Sequence, residues 1–207
     1  MNKPSFDRAA SDRLPKDAIT HLFHDARTYS RWQCLELSDA DIRELYETAV
    51  FGPTSANGNP ARFVWVRSKA AKERLANCVN PGNEVKVLGA SATVIIGYDV
   101  KFYQKFGFLM PHAVEKLIEN FSNSPWNAWE TAFRNSALQG AYLIMAARAL
   151  GFDCGPLSGF DQEKVNAAFF ADTGIKANFL CCLGRGSAEA LFPRNPRLPF
   201  DEANQII

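Results

Sequence analysis

Arginines recur in this chain beside hydroxyls, amides and stiff turns, a combination suited to holding an anion. Arg27-Thr28-Tyr29-Ser30-Arg31-Trp32 surrounds hydroxyl-bearing residues with guanidinium groups. A guanidinium forks onto phosphate oxygens, and hydroxyls add donors. The segment therefore reads as an anion site, or as a solvated turn with Trp32 plugging the core. Arg194-Asn195-Pro196-Arg197 puts two more cations on a proline-stiffened segment, a second candidate phosphate clamp. Asn83 closes a turn-forming run, Asn80-Pro81-Gly82-Asn83, and Lys86 follows it. Both can face a ligand from there, although an asparagine in a turn also has a purely local use.

The chain is organised around Gly52-Pro53-Thr54-Ser55-Ala56-Asn57-Gly58-Asn59-Pro60-Ala61-Arg62-Phe63. A plain helix-to-strand connection takes about 2–6 residues, and this one is longer. Its prolines stiffen the backbone, its glycines allow close approach, and Thr54, Ser55, Asn57 and Asn59 carry donors and acceptors. It is a ligand loop or a rigid capping turn. Gly155-Pro156-Leu157-Ser158-Gly159-Phe160-Asp161 is a second stiff, small-residue turn whose N–H groups can be aimed at a ligand atom.

Other chemistries find little support. His21 and His24 lie three apart, but no cysteine or third histidine is near, and zinc takes three or four protein ligands; no metal is expected. No Ser-His-Asp set, carboxylate pair or P-loop stands out. Gly184-Arg185-Gly186 begins like a dinucleotide fingerprint, but Glu189 stands at the third glycine, and Pro193 and Pro196 follow where a helix is required. Arginines, small polar loops and glycine turns suit a phosphorylated cofactor that brings its own chemistry.

These residues need a scaffold. At 207 residues one domain is expected, with 47% hydrophobic and 22% charged residues, ordinary for a globular protein. A net charge of +1 argues for neither nucleic acid nor a membrane surface as partner. The five cysteines form no Cys-x-x-Cys, and the polar N-terminus lacks a signal-peptide pattern, so free thiols in a reducing cytoplasm are expected. No uncharged apolar run reaches transmembrane length. Residues 1–15 read as a loose polar segment and 16–26 as a helix with Ile19, Leu22, Phe23 and Ala26 on one face. Ser38 caps the next helix, Ser68 caps one over 68–79, and Asp161 caps one over 162–170. Strands are expected at Phe63–Val66, at 92–97 and at 178–183. The aromatic region 101–128, broken by Met110-Pro111-His112 and Ser122-Asn123-Ser124-Pro125, is a lid or a plain pair of short helices. Residues 129–150 form a helix apolar nearly all round, as a buried central helix must be, or one that a second subunit completes.

Taken in order, these motifs resemble the nitroreductase-like flavoproteins along nearly the whole chain. Arg27-Thr28 resembles the family's N-terminal Arg-Ser phosphate motif, and Pro53 to Pro60 its Pro-Ser-Ser-x-Asn-x-Gln-Pro loop. Asn83 and Lys86 match its Asn-x-x-Lys, Pro156 to Asp161 its Pro-x-Glu-Gly-Phe segment, and Arg194 and Arg197 its C-terminal clamp. Glu130-Thr131-Ala132-Phe133-Arg134-Asn135-Ser136 and the Gly155–Asp161 phrase look especially like the RutE-type malonic semialdehyde reductases.

The resemblance implies an α+β fold, three-layered α/β/α with a mainly antiparallel sheet, in an intertwined homodimer with FMN at the interface. Arg27, Thr28, Arg194 and Arg197, with Tyr29 beside them, would hold the phosphate side. Asn83 and Lys86 would reach the isoalloxazine edge. Pro53, Thr54, Ser55 and Asn57 would come from the partner chain. Pro156 and the N–H groups of Ser158 and Gly159 would face flavin N5. Two departures stand out: Ser30 replaces a basic residue common in relatives, and Ser158 replaces the glutamate of Pro-x-Glu-Gly. NADPH or NADH would be the hydride donor. The expected reaction is reduction of malonic semialdehyde to 3-hydroxypropionate, with Thr54 or Ser55 polarising the carbonyl. A broad nitroaromatic, quinone or enone reductase, or a flavin-binding protein without turnover, are the alternatives.

Overall fold

The computed structural model describes residues 13–207. The expected loose segment falls mostly on residues 1–12, outside that range, and 13–15 carry no regular structure. Strict alternation in the strands builds two cores at once. Strand β2 (Ala61–Val66), β3 (Ala92–Tyr98) and β5 (Lys176–Gly186) run antiparallel, Phe63 opposite Ile96 and Val94 opposite Cys181. Val94, Ile96, Cys181 and Leu183 face one way, onto α2 (Asp39–Ala49) and α7 (Pro125–Ala149), through Leu45, Leu143 and Ala147. Ile95, Leu180 and Cys182 face the other, onto α3 (Lys69–Ala76), α4 (Glu84–Gly89) and α8 (Gln162–Phe169), through Leu75, Val87 and Val165. A two-residue period places neighbours on opposite faces, so helices cover both sides of the sheet. The result is the expected three-layer α+β architecture. Strands β1 (Trp32–Gln33) and β4 (Asp153–Leu157) also pair with β5, completing a five-stranded antiparallel sheet.

The caps read from the sequence are in place. Ser38 and Asp41 form a reciprocal capping box, the Asp41 N–H donating to Ser38 Oγ at 3.1 Å and the Ser38 N–H to Asp41 Oδ2 at 2.7 Å. Ser68 and Asp161 cap α3 and α8. Several elements differ from expectation. The first helix is only α1 (Lys16–Ile19), continued by a π-helical turn over Thr20–His24 that leaves Phe23 55% exposed. The long helix α7 begins at Pro125 rather than at residue 129, because proline needs no N–H acceptor in the first helical turn and Ser124 caps it. The aromatic region makes α5 (Phe106–Leu109) and α6 (Val114–Ser122), packed through Phe102, Phe106 and Phe121. The last strand extends well beyond 178–183, and a short α9 (Phe200–Ala203) follows it. No described helix is long and apolar enough to cross a membrane.

Candidate functional site

The N-terminal and C-terminal arginine segments, far apart in sequence, meet in one cavity of about 410 Å³. Arg27, Thr28, Tyr29 and Ser30 line one side, Arg194 and Arg197 another, and Lys86, Gly155 and Pro156 the floor. Its lining holds four cations and no carboxylate. The two segments are fastened by their own arginines. Arg27 donates to the Phe192 carbonyl, while Arg194 Nη2 donates to the carbonyls of His24 and Ala26. A guanidinium has five N–H donors in a planar fork, so these anchors orient it and leave donors for a ligand. Arg197 bonds the carbonyls of Asn195 and Pro196. Arg31 instead turns back on the Ser30 carbonyl and lines a neighbouring cleft with Glu189. Ser30 thus lines the cavity while Arg31 faces away from it.

Close backbone approach makes this cavity. The Tyr29 N–H bonds the Cys154 carbonyl at 3.0 Å, and a bridge joins Thr28 to Cys154, laying the arginine segment along β4. A Cβ at Gly155 would collide with the Tyr29 carbonyl, and one at Gly186 with the Tyr29 ring. Burial raises the Tyr29 phenol pKa, the Asp153 carboxylate adds to the rise and Arg27 opposes it, so the phenol stays neutral. Lys86 sits on α4 with its carbonyl fixed by Trp32 Nε1 at 3.0 Å. Trp32, a core plug in the sequence reading, thus also holds the backbone of Lys86 without lining the cavity. Asn83 stands one turn before Lys86, at the N-cap of α4, a helix not among those expected from the sequence.

Asn83 joins this cavity to the second turn. Its Nδ2 donates to the Gly159 carbonyl at 2.9 Å, and the Asn80 N–H donates to the same oxygen at 2.9 Å. The Ser158 carbonyl accepts from the Phe160 N–H at 3.1 Å. With both carbonyls taken, the Ser158–Gly159 and Gly159–Phe160 peptide planes are fixed, and neither the Ser158 nor the Gly159 N–H is a donor within the turn. Residues up to Leu157 belong to β4 rather than to the expected turn. Pro156 is tolerated there because β4 pairs along its length only with β5, leaving its other edge without a ladder.

The loop after α2 lies elsewhere: Pro53, Thr54, Ser55 and Asn57 do not line the cation cavity. Thr54 Oγ1 accepts the Asn59 N–H at 3.2 Å, and Asn57 Nδ2 donates to the Leu109 carbonyl at 2.8 Å. Ala56, Asn57 and Asn59 hold left-handed φ of 51°, 50° and 43°. An alanine there costs about 1–2 kcal/mol, so surrounding bonds must impose the shape. The Ser55 N–H donates to Asn135 Oδ1 at 2.7 Å, and the Ala61 N–H to Gln139 Oε1 at 2.9 Å. The sequence singles out neither α7 residue as a loop support; the local hint is two amide side chains four residues apart among mostly small and apolar helix residues.

Cys34 is exposed and Cys78, Cys154, Cys181 and Cys182 are buried, all as free thiols. Burial pushes the Cys182 thiol up to about 11, and a hydrogen bond with Cys154 raises Cys181 as well. Among the described residues no three His, Cys, Asp or Glu side chains gather as metal ligands. His21 is spent on the Arg148 carbonyl at 2.7 Å.

Residues 10–185 match the profile of the Nitroreductase family. The chain is 49% identical over 194 residues to a Polynucleobacter asymbioticus protein named "Putative NADH dehydrogenase/NAD(P)H nitroreductase", covering 94% of this chain and 98% of that one. Among solved structures, the Bacillus subtilis nitroreductase homologue ydfN superposes with a TM-score of 0.85 at 24% identity, covering 92% of this chain and 99% of that one. An Exiguobacterium sibiricum protein, described as a "putative nitroreductase in complex with FMN", superposes with a TM-score of 0.78 at 22% identity, covering 94% and 99%.

Proposed function

The chain belongs to the nitroreductase family, and from that premise we propose that it is an FMN-dependent NAD(P)H oxidoreductase that reduces malonic semialdehyde to 3-hydroxypropionate. The observation that carries the cofactor assignment is the cavity with Arg27, Lys86, Arg194 and Arg197 and no carboxylate. Such a donor set fits a phosphate, because charge-assisted bonds from arginine are short, strong and bidentate. Thr28 and Tyr29 add hydroxyl donors beside it. Bound FMN supplies the hydride relay between NAD(P)H and the acceptor. Asn83 and Lys86 hold its ring edge, and the N–H groups of Ser158 and Gly159 donate to it. Backbone donation at Ser158 explains why a serine there serves in place of glutamate.

A second copy completes the site. Two features support this: the loop with Thr54 and Ser55 stands apart from the cation cavity, and α7 exposes Leu138 and Tyr142, four residues apart and so on one stripe. Phe51, next to the Gly52 that lies against Tyr142, and Phe108 are 86% and 87% exposed as well. Exposed apolar patches of this kind mark contact surfaces. Thr54 or Ser55 from the partner polarises the substrate carbonyl, an electrostatic role that strengthens as charge develops on oxygen. The free thiols support a reducing, cytoplasmic setting.

The relative's nitroreductase name favours a second reading, a broad reductase of nitroaromatics and quinones. Anaerobic reduction of the FMN-loaded protein by NADPH or NADH, followed by each acceptor, separates the two. Rapid recolouring with malonic semialdehyde is expected. Recolouring with quinones or nitroaromatics alone assigns the second reading, and no bleaching by either nicotinamide refutes both.

A further inference from the structure

We propose that Asn135 and Gln139 of α7 are positioning residues that mould the 53–61 loop into its ligand-holding shape. The inference rests on the flavin reading above and deepens it. The two side chains lie four residues apart, hence on one helix face and about 6 Å along the axis. Both are buried, Asn135 at 3% and Gln139 at 7% exposure, on a helix whose other core-facing residues are mostly small or apolar. Each accepts one backbone N–H of the loop, Ser55 at 2.7 Å and Ala61 at 2.9 Å. Their spacing along the helix thus sets the span between the two ends of the left-handed stretch.

The remaining atoms tie the clamp together. Asn135 Nδ2 is held by the Thr131 carbonyl at 2.8 Å, which fixes which way its oxygen points. Gln139 Nε2 reaches Asn59 Oδ1 at 3.3 Å, and Asn59 Nδ2 bonds the Asn57 carbonyl at 2.7 Å. Asn57 in turn bonds the Leu109 carbonyl at the end of α5. The chain of bonds runs from α7 through the loop to the aromatic helix pair. Asn135 takes the N–H of Ser55 itself and thereby holds the backbone that carries the Ser55 hydroxyl. Neither amide lines the cation cavity, so toward that cavity both act through the loop.

Asn135→Leu and Gln139→Met keep side-chain bulk and delete the acceptors. Each is compared with wild type by FMN titration, by the absorption spectrum of the bound flavin, and by hydrogen exchange of residues 53–61 in the flavin-free protein. Val165→Ala, in the core on the far side of the sheet, is the stability control. The expected result is a dissociation constant raised about tenfold, the equivalent of one lost backbone hydrogen bond. A shifted flavin spectrum and faster exchange confined to the loop accompany it, while Val165→Ala lowers the melting temperature and leaves FMN affinity alone. If Asn135→Leu does not fold, Gln139→Met carries the test, and Asn135→Ser replaces the leucine variant. Wild-type affinity and loop exchange in the variants overturn the clamp and leave the flavin reading standing. A wild-type protein that takes up no FMN overturns the flavin reading and, with it, this role for the clamp.

Discussion

At the scale of single residues, side chains here are spent on holding backbone as much as on meeting a ligand. Arg27 and Arg194 each anchor the other's segment while lining the cavity. Arg27→Ala should therefore weaken FMN binding by about 10- to 100-fold, the loss of one hydrogen bond to a charged group of about 1.5–3 kcal/mol; Arg27→Lys should recover part of it. Fluorescence titration of the flavin reads both. The thiols make a different prediction. Cys182, held near 11 by burial, stays protonated in the folded chain while an unfolded thiol ionises near 8.5. Its stabilising contribution is complete below about pH 8.5 and is lost as pH rises toward 11, because the unfolded state alone releases the proton. The melting temperature should fall over that window, and less steeply in Cys182→Ala.

At the scale of elements, what was legible in the sequence was what is local. Ser38, Ser68 and Asp161 cap helices by reaching their own next turn, and that signal is written within four residues. The core strands β3 and β5 were legible for the same reason, as short runs of apolar and β-branched residues. Strand β4 was not: Gly155-Pro156 reads as a turn, and only pairing with the long β5 makes it a strand. The cation segments were visible as candidates, yet their meeting, the Trp32–Lys86 bond and the α7 clamp link residues tens of positions apart. Helix α7 bears on all of this. Leu143, 1% exposed, packs it against β3 and β5. Leu143→Ala should cost about 2–5 kcal/mol, measured by urea unfolding.

At the scale of the whole molecule, one chain holds its cation cavity and its polar loop apart, which the proposed dimer would bring together. The apolar stripe of α7 lies exposed along the same helix that shapes the loop. Leu138→Arg, at 45% exposure on that stripe, should convert a dimer to monomers in sedimentation and lose FMN with it. Monomers that keep FMN at full affinity would show that one chain suffices. The central claim, that the carboxylate-free cavity is a flavin-phosphate site, is tested most directly by titrating the flavin-free protein with FMN and with riboflavin, which lacks the phosphate. The account predicts that FMN binds far more tightly, and that Arg27→Ala brings its affinity down toward that of riboflavin. Equal affinity for the two, or no binding of either, would contradict it.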